Sequence, residues 1–164
     1  MSTPAVVRGS AAANAWEALF RAQVALMRGF AAEDMWTDVS MKEYDVLFTL
    51  ARAPEKGLRL KDLNLDVLMS QPSLSRMVER LEQRGLVERR PVPGDLRGTW
   101  VSLTPEGARV QKTVGRHHVE SIEAAVGGAL DADELQTLER LCRKLRAHAA
   151  PSPEPTTQDQ EGRA

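Results

Sequence analysis

The segment from Ser70 to Leu103 constrains the fold of this 164-residue chain more than any other. It begins with a helical pattern whose apolar residues recur at positions i, i+3, i+4 and i+7, namely Leu74, Met77, Val78 and Leu81. Gly85 then stands where a helix requires a left-handed C-cap. Two short strands follow over residues 86–90 and 99–103, joined by a stretch rich in proline and glycine. This order predicts a helix with a β-hairpin beside it.

Helical patterns also flank this segment on both sides, over about 14–32, 40–53, 61–68, 104–126 and 131–149. Two of these helices open with a capping box, formed by Ser40 with Glu43 and by Asp131 with Glu134. In the short third helix, Leu63 and Val67 lie four residues apart, so both are expected to face the core. Two helices joined by a tight turn and followed by a hairpin predict a winged helix-turn-helix.

The predicted fold class is therefore mainly α with a small β-hairpin wing, in a single domain. Residues 40–104 form the winged helix-turn-helix, and helices over 14–35 and 105–149 flank it. These flanking helices are more apolar than a small domain needs to cover its own core, so we expect them to form a homodimer. The last residues, 150–164, lack any large apolar side chain and are expected to be disordered.

Composition excludes some classes of protein but does not itself indicate DNA binding. Hydrophobic residues make up 42% of the chain and charged residues 27%, as in ordinary globular proteins. No apolar run approaches the roughly 20 residues of a membrane span, and a single cysteine, Cys142, favours the reducing cytoplasm. The net charge is −1, although residues 70–98 hold six arginines against four acidic residues, a local net of +2.

Polar and basic side chains are nevertheless concentrated on the predicted helix and hairpin. A helix that enters the major groove needs small polar residues at its N-terminus, and a proline there suits the first turn. The candidate DNA-binding residues on the helix are Ser70, Gln71, Pro72, Ser73, Ser75, Arg76 and Arg80, and those on the wing are Arg89, Arg90, Asp95 and Arg97. Arg97 could enter a narrow minor groove with Asp95 holding its guanidinium. The alternative is that these side chains form an ordinary solvated surface.

Five pieces of sequence, in this order and with this spacing, resemble the MarR (multiple antibiotic resistance regulator) family. They are Ser70-Gln-Pro-Ser-Leu-Ser-Arg76, Val78-Glu-Arg-Leu-Glu82, Gly85-Leu-Val-Glu-Arg89, Asp95-Leu-Arg97 and Val101-Ser-Leu-Thr-Pro-Glu-Gly107. The resemblance runs from about Lys42 to Gly107. The sequence departs from the family at three positions: Leu96, where many relatives have a second wing arginine, Leu68, where glycine is frequent, and Leu65, where the residue is usually polar.

The resemblance implies a transcriptional regulator that acts as a dimer on a pseudo-palindromic site in double-stranded DNA. Repression is the usual mode in this family, with release by a small aromatic or phenolic effector bound between the dimer helices and the winged domain. The residues that could line such a pocket are Trp16, Phe20, Met35, Trp36 and Tyr44. The alternative is that these five residues are plain core.

Other chemistry is not indicated by the sequence. We find no phosphate loop, paired carboxylates or activated nucleophile, so we expect neither an enzyme nor a cofactor. His117 and His118 point about 100° apart on a helix, so we expect no metal site there. Cys142 lies on an apolar stripe and is expected to be buried and inert. The competing function is a helical protein-interaction adaptor without specific DNA binding.

Overall fold

The computed structural model describes residues 10–67 and 69–149, with the backbone alone for Leu96 and Arg97. Its helices are α1 (Ala11–Ala31), α2 (Met41–Ala51), α3 (Leu60–Asp66), α4 (Gln71–Gln83), α5 (Pro105–Ile122) and α6 (Ala132–Ala149). Its strands are β1 (Leu58–Arg59), β2 (Val87–Val92) and β3 (Asp95–Leu103), which form one antiparallel sheet in the order β1-β3-β2. The predicted fold class, a mainly helical chain with a winged helix-turn-helix, is confirmed.

The chain divides into two compact units, one up to Glu123 and one from Ala124 onward. The tail that we predicted to be disordered, 150–164, lies outside the described residues, and so does the turn position Leu68. Within the described ranges, no helix combines the length and the hydrophobicity that a membrane span requires.

Helix α1 begins three residues before the predicted start at Asn14. The hydroxyl of Ser10 accepts a hydrogen bond from the amide of Ala13 at 3.2 Å, so this serine is the N-cap. Residues 11–13 are alanines, which carry no apolar periodicity, and the pattern alone could not include them. The helix ends at Ala31, and the connection to α2 consists of turns that carry Trp36.

The core of the first unit lies between α2, α3, α4, α5 and one face of the sheet. Its largest fully buried side chains include Leu47, Leu63, Leu74, Leu81 and Val101. The whole apolar stripe of α4 is buried too, as the helical spacing predicted. Val67 is also buried, but α3 ends at Asp66, before the predicted end at residue 68, and Val67 has an extended backbone. Burying side chains of this size stabilises a fold by about 1.5–3 kcal/mol each, before conformational entropy is subtracted.

The residues Leu103-Thr-Pro-Glu-Gly107 are required by the close contact between the start of α5 and the C-terminal end of α4. Gly85 has φ +70°, and the amide of Leu86 donates to the carbonyl of Leu81 at 2.9 Å, which is a Schellman cap. The hydroxyl of Thr104 caps α5 and donates to the Gly85 carbonyl at 2.6 Å. A Cβ on Gly107 would lie 1.8 Å from the Leu86 carbonyl oxygen, so only glycine allows α5 to approach this turn. The predicted cap at Gly85 is confirmed.

Strand β1 was not predicted. It pairs with β3 through Leu58↔Val101 and Arg59↔Trp100. Gly57 precedes it with φ +85°, and a Cβ there would lie 2.1 Å from the carbonyl oxygen of Val101. A strand of two residues is too short to show an alternation of apolar and polar residues, so no pattern predicted it.

The wing strands are longer than predicted, and much of the supposed loop 91–98 belongs to them. The turn is reduced to Pro93 and Gly94, whose φ is +78°. The register passes from Pro91↔Thr99 to Val92↔Asp95, so three residues, 96–98, are inserted on β3 as a bulge. Proline is tolerated at such an edge position, although it weakens a sequence-based strand prediction.

The second unit contains α6, which opens as predicted. Asp131 Oδ1 accepts from the amide of Glu134 at 2.9 Å, and Glu134 Oε2 accepts from the amide of Asp131 at 3.0 Å. The preceding residues, Glu123–Gly127, form a π-helical turn that follows α5. The prediction that Cys142 is buried is wrong for the single chain, where this residue is partly exposed on an α6 that has no buried residues.

Candidate nucleic-acid interface

The N-terminus of α4 presents the polar residues that we predicted to meet DNA. Ser70 is the N-cap, its hydroxyl accepting from the Ser73 amide at 3.4 Å and donating to the Ser73 hydroxyl at 2.8 Å. Ser73 and Ser75 are half-buried, whereas Gln71 and Pro72 are exposed in the first turn. Gln71 is therefore the side chain at this helix end that is most available to a base edge.

Two arginines on the outer face of α4 are exposed, and their guanidinium groups have no partner among the described residues. The side chain of neither Arg76 nor Arg80 forms a hydrogen bond or ion pair with any described residue, and both residues are exposed. They are four residues apart, one turn of the helix, and opposite the buried stripe. Guanidinium groups without partners in the described part of the chain are suited to bind an anion such as phosphate.

Arg89 and Arg90 on β2 are engaged within the protein. The guanidinium of Arg89 lies 2.6 Å from Glu82 Oε2, and its Nε donates to the same oxygen at 2.7 Å. This hydrogen-bonded ion pair lowers the pKa of Glu82 and raises that of Arg89. Arg90 lies 3.4 Å from Glu88 and donates to Ser102 at 3.3 Å. Arg89 thus links the wing to α4, a role that its charge alone did not indicate.

At the bulge of the wing, Asp95 is held by a residue that sequence reasoning missed. Asp95 Oδ2 lies 3.3 Å from Arg59 Nη1, across 36 residues of sequence. The expected pair of Asp95 with Arg97 concerns a side chain outside the described set, and it stays a prediction. Arg59 belongs to β1, the strand that the sequence did not reveal, so no local pattern could have found it.

The residues predicted to bind an effector fall into two groups. Trp16 and Phe20 lie on α1, 66% and 46% exposed, and their rings are 6.2 Å apart. Trp36 and Tyr44 pack together in the first unit at 5.8 Å, and Met35 packs against the same core. The structure therefore does not bring all five predicted residues into one place.

Trp36 and Tyr44 instead surround His118 of α5, together with Phe30 of α1. The imidazole centroid lies 5.1 Å from the ring of Phe30, 5.5 Å from that of Trp36 and 5.5 Å from that of Tyr44. The Trp36 indole donates to the Phe30 carbonyl at 2.6 Å, which fixes this ring. The sequence analysis considered His118 only as a possible metal ligand and did not predict its place in an aromatic cluster.

The environment of this aromatic cluster, defined as Phe30, Trp36, Tyr44 and His118, is apolar. Burial lowers the pKa of His118, while the carboxylate of Glu33 partly opposes that shift. Nδ1 of His118 is buried and has no hydrogen-bond partner. Burial also raises the pKa of Tyr44. Both rings are thus neutral near neutral pH and hold polar atoms in an apolar setting.

Comparisons with known proteins agree with this arrangement. A family model described as the MarR family matches residues 37–98. The multiple antibiotic resistance protein MarR of Salmonella typhimurium is 38% identical over 73 residues, which are 44% of this chain and 51% of that protein. The chain thus spans about half the length of this relative.

Two further similarities extend beyond the winged helix. The transcriptional regulator HosA of Escherichia coli O127:H6 is 30% identical over 111 residues, which are 66% of this chain and 78% of that protein. Sco3205, a MarR family transcriptional regulator from Streptomyces coelicolor, has a crystal structure in complex with DNA, and its sequence is 26% identical to this chain. The two structures superpose with a TM-score of 0.74 over 90% of this chain and 94% of that one. The chain belongs to the MarR family.

Proposed function

We propose that this protein is a sequence-specific DNA-binding transcriptional regulator, a cytoplasmic homodimeric repressor that a small aromatic or phenolic effector releases from DNA. The observation that carries the proposal is the outer face of α4, where exposed Gln71 precedes Arg76 and Arg80, two arginines whose side chains have no partner among the described residues. A protein without a polyanionic partner gains little from two adjacent unpaired guanidinium groups beside a wing. Sco3205, which shares the fold, was crystallised with DNA.

The parts of the surface have different roles in this proposal. Gln71 meets a base edge in the major groove, with Ser70, Ser73 and Ser75 close to the phosphates around the helix end. Arg76 and Arg80 neutralise phosphates, and Arg97 enters the minor groove from the wing. Arg89 and Arg90 act mainly by fixing the wing, because each already has a carboxylate partner.

Dimerisation is supported by apolar surface on the first and last helices, each considered by itself. On α1, Trp16, Phe20 and Met27 are exposed, and on α6, Leu138, Leu141 and Leu145 are exposed. Apolar faces of this size on a soluble domain usually mark an interface. A two-fold dimer would set two copies of α4 about one DNA turn apart, roughly 34 Å, and so would read a pseudo-palindrome.

The aromatic cluster supports an effector site next to the core of the winged helix. It joins α1, α2, α5 and the turn at Trp36, so a planar ligand inserted beside His118 would separate elements that otherwise pack together. A ligand that binds only the separated state shifts the dimer away from the DNA-binding state. Trp16 and Phe20 contribute to the dimer interface in this proposal and not to the pocket.

The test is a footprint on the promoter region of the protein's own gene, followed by titration of the protected duplex. We expect protection of a pseudo-palindrome, and a dissociation constant at least about a thousandfold below that for an unrelated duplex of the same length. The double variant Arg76→Ala/Arg80→Ala should lose most of this affinity. Arg109→Ala, which removes an exposed arginine paired with Glu106 at the start of α5, is the matched control and should bind like the parent. Equal affinity for both duplexes would favour the adaptor function instead.

A further inference from the structure

The ion pair between Arg59 and Asp95 crosses from β1 to the distal part of the wing. Arg59 Nη1 and Asp95 Oδ2 are 3.3 Å apart, and both side chains are partly buried. Arg59 is the last residue of β1 and directly precedes α3, the first helix of the helix-turn-helix. The pair therefore connects the wing to the start of α3, the helix that precedes α4.

Beyond Trp100, no third strand from the described part of the chain supports the wing. Strand β1 ends at Arg59, opposite Trp100, so Asp95 and Thr99 pair with β2 alone, and residues 96–98 form the bulge between them. A two-stranded ribbon is marginally stable by itself in water. The Arg59 side chain extends the support of β1 to the bulge, which sheet hydrogen bonds do not reach.

The bulge is built around the Asp95 carboxylate. Residues 96–98 are inserted on β3, and a Cβ on Gly98 would lie 2.6 Å from Asp95 Oδ2. The absence of a side chain at Gly98 thus makes room for the carboxylate that Arg59 binds. Arg97 lies between these two residues in the chain.

The Arg59 side chain also contacts the Trp100 ring. The guanidinium carbon of Arg59 lies 5.6 Å from the centroid of the Trp100 ring, and Lys56 Nζ lies 4.9 Å from it. Cation–π contacts of this kind contribute about 0.5–1 kcal/mol at partly exposed sites. Two independent contacts, one with Asp95 and one with Trp100, therefore define where the guanidinium lies.

We propose that Arg59 is a positioning residue for the wing: through Asp95 it fixes the bulge that carries Arg97 relative to the helix-turn-helix, so that wing and α4 meet DNA in one arrangement. This inference rests on the proposed function. It assigns to a residue of β1 a part in DNA affinity without contact to DNA.

For the variant Asp95→Asn, charge alone and the proposed role of the ion pair predict opposite changes in DNA affinity. Asp95→Asn removes a negative charge next to the DNA, so electrostatics would tighten binding. If Asp95 holds the bulge through Arg59, the same variant weakens binding. If Asp95 acts only on Arg97, the losses of affinity caused by Arg59→Ala and by Asp95→Asn multiply in the double variant. If both residues act through their shared ion pair, the free-energy costs of the two changes are not additive.

The experiment titrates the footprinted duplex, and an unrelated duplex of equal length, with five proteins: the parent, Arg59→Ala, Asp95→Asn, the double variant and Arg59→Lys. We expect about tenfold weaker specific binding for each of Arg59→Ala and Asp95→Asn, and no further loss in the double variant. Arg59→Lys keeps a cation that can reach the carboxylate and should recover most of the affinity. Arg109→Ala again serves as the control.

Hydrogen exchange of the free protein provides a second readout that does not involve DNA. Peptides covering residues 91–99 should exchange about tenfold faster in Arg59→Ala than in the parent, while peptides from α4 remain unchanged. Unchanged exchange in the wing, or single effects that multiply in the double variant, would overturn the inference and leave the proposed function intact. A parent protein that does not prefer the footprinted duplex would overturn the proposed function itself.

Discussion

Arg84, the C-cap residue of α4, forms an ion pair with Glu43 in the first turn of α2, with Nη1 3.3 Å from Oε1. The same guanidinium donates to the carbonyl of Asp38 in the connection between α1 and α2. Glu43 also closes the capping box with Ser40. The end of the candidate recognition helix is therefore tied to the segment that carries Trp36 of the aromatic cluster.

We expect Arg84→Ala to lower the free energy of unfolding by about 1 kcal/mol, since it removes one charge-assisted hydrogen bond and one partly exposed ion pair. Glu43→Gln is the matched variant, because glutamine keeps the capping-box acceptor but loses the charge. Its cost should be smaller than that of Arg84→Ala. Denaturant unfolding at one fixed protein concentration measures both, and equal costs would show that the Asp38 carbonyl contributes nothing.

Gly107→Ala should destabilise the fold by about 3 kcal/mol or more. The new Cβ would meet the Leu86 carbonyl oxygen at 1.8 Å, and because this atom is backbone, α5 must move away from the end of α4. Gly29→Ala in α1 is the control, because nothing lies within 4 Å of a Cβ there. It should raise helix stability by about 0.5–1 kcal/mol. Thermal unfolding of both variants distinguishes the two effects, and similar melting temperatures would contradict the close approach.

The sequence predicted the fold well where a structure depends on neighbours in the chain. The stripe of α4, the caps at Ser40 and Asp131 and the turn at Gly85 are all short-range features with known residue preferences. Strand β1 was missed because it is only two residues long and exists only through pairing with β3, more than 40 residues away. The start of α1 was placed late because alanine carries no hydrophobic signal.

The candidate site was predicted less completely, for the same physical reason. Residue type and position identified Gln71, Arg76 and Arg80, and these are exposed as expected. The partners of Arg89 and Asp95 lie on other elements, so their ion pairs with Glu82 and Arg59 could not be read from spacing alone. A histidine joins the aromatic cluster only when α5 packs against α1 and α2, which no local pattern encodes.

His118 should make the protein less stable at mildly acidic pH. Burial lowers its pKa in the folded state below the value near 6.5 of an unfolded chain. The unfolded chain therefore binds the proton more readily, and stability falls as the pH drops below about 6.5. Glu33 is the charged group that opposes this effect, and Tyr44 and Trp36 face the ring without charge.

The measurement compares unfolding free energies at pH 7.5 and pH 5.5 for the parent and for His118→Phe. The variant should lose less stability between the two pH values than the parent does. His117→Asn is the matched control, because this neighbouring histidine is exposed and lies outside the aromatic cluster. An equal pH dependence in the parent and His118→Phe would show that His118 does not govern the acid sensitivity.

Gln71→Ala should relax sequence preference. An exposed amide at the first turn of α4 can make a bidentate contact to adenine, so its loss should cost about 1–3 kcal/mol on the specific duplex and little on an unrelated one. Ser73→Ala should have a smaller effect, because its hydroxyl already bonds to that of Ser70. Titration against duplexes substituted at each position identifies the base concerned. Equal losses on specific and unrelated duplexes would assign Gln71 to the phosphates instead.

Arg80 and Arg89 should differ in how they affect salt dependence, although both are arginines of the proposed interface. Arg80 has no partner among the described residues, whereas Arg89 is held by Glu82 at 2.6 Å. A free guanidinium that neutralises one phosphate contributes about 0.9 to the slope of log K against log salt, so Arg80→Ala should make the slope shallower by about two in a dimer. Arg89→Ala removes a charge already balanced within the protein, so it should weaken binding through a displaced wing with a much smaller change in slope. A slope that falls equally in both variants would show that Arg89 leaves Glu82 to bind a phosphate in the complex.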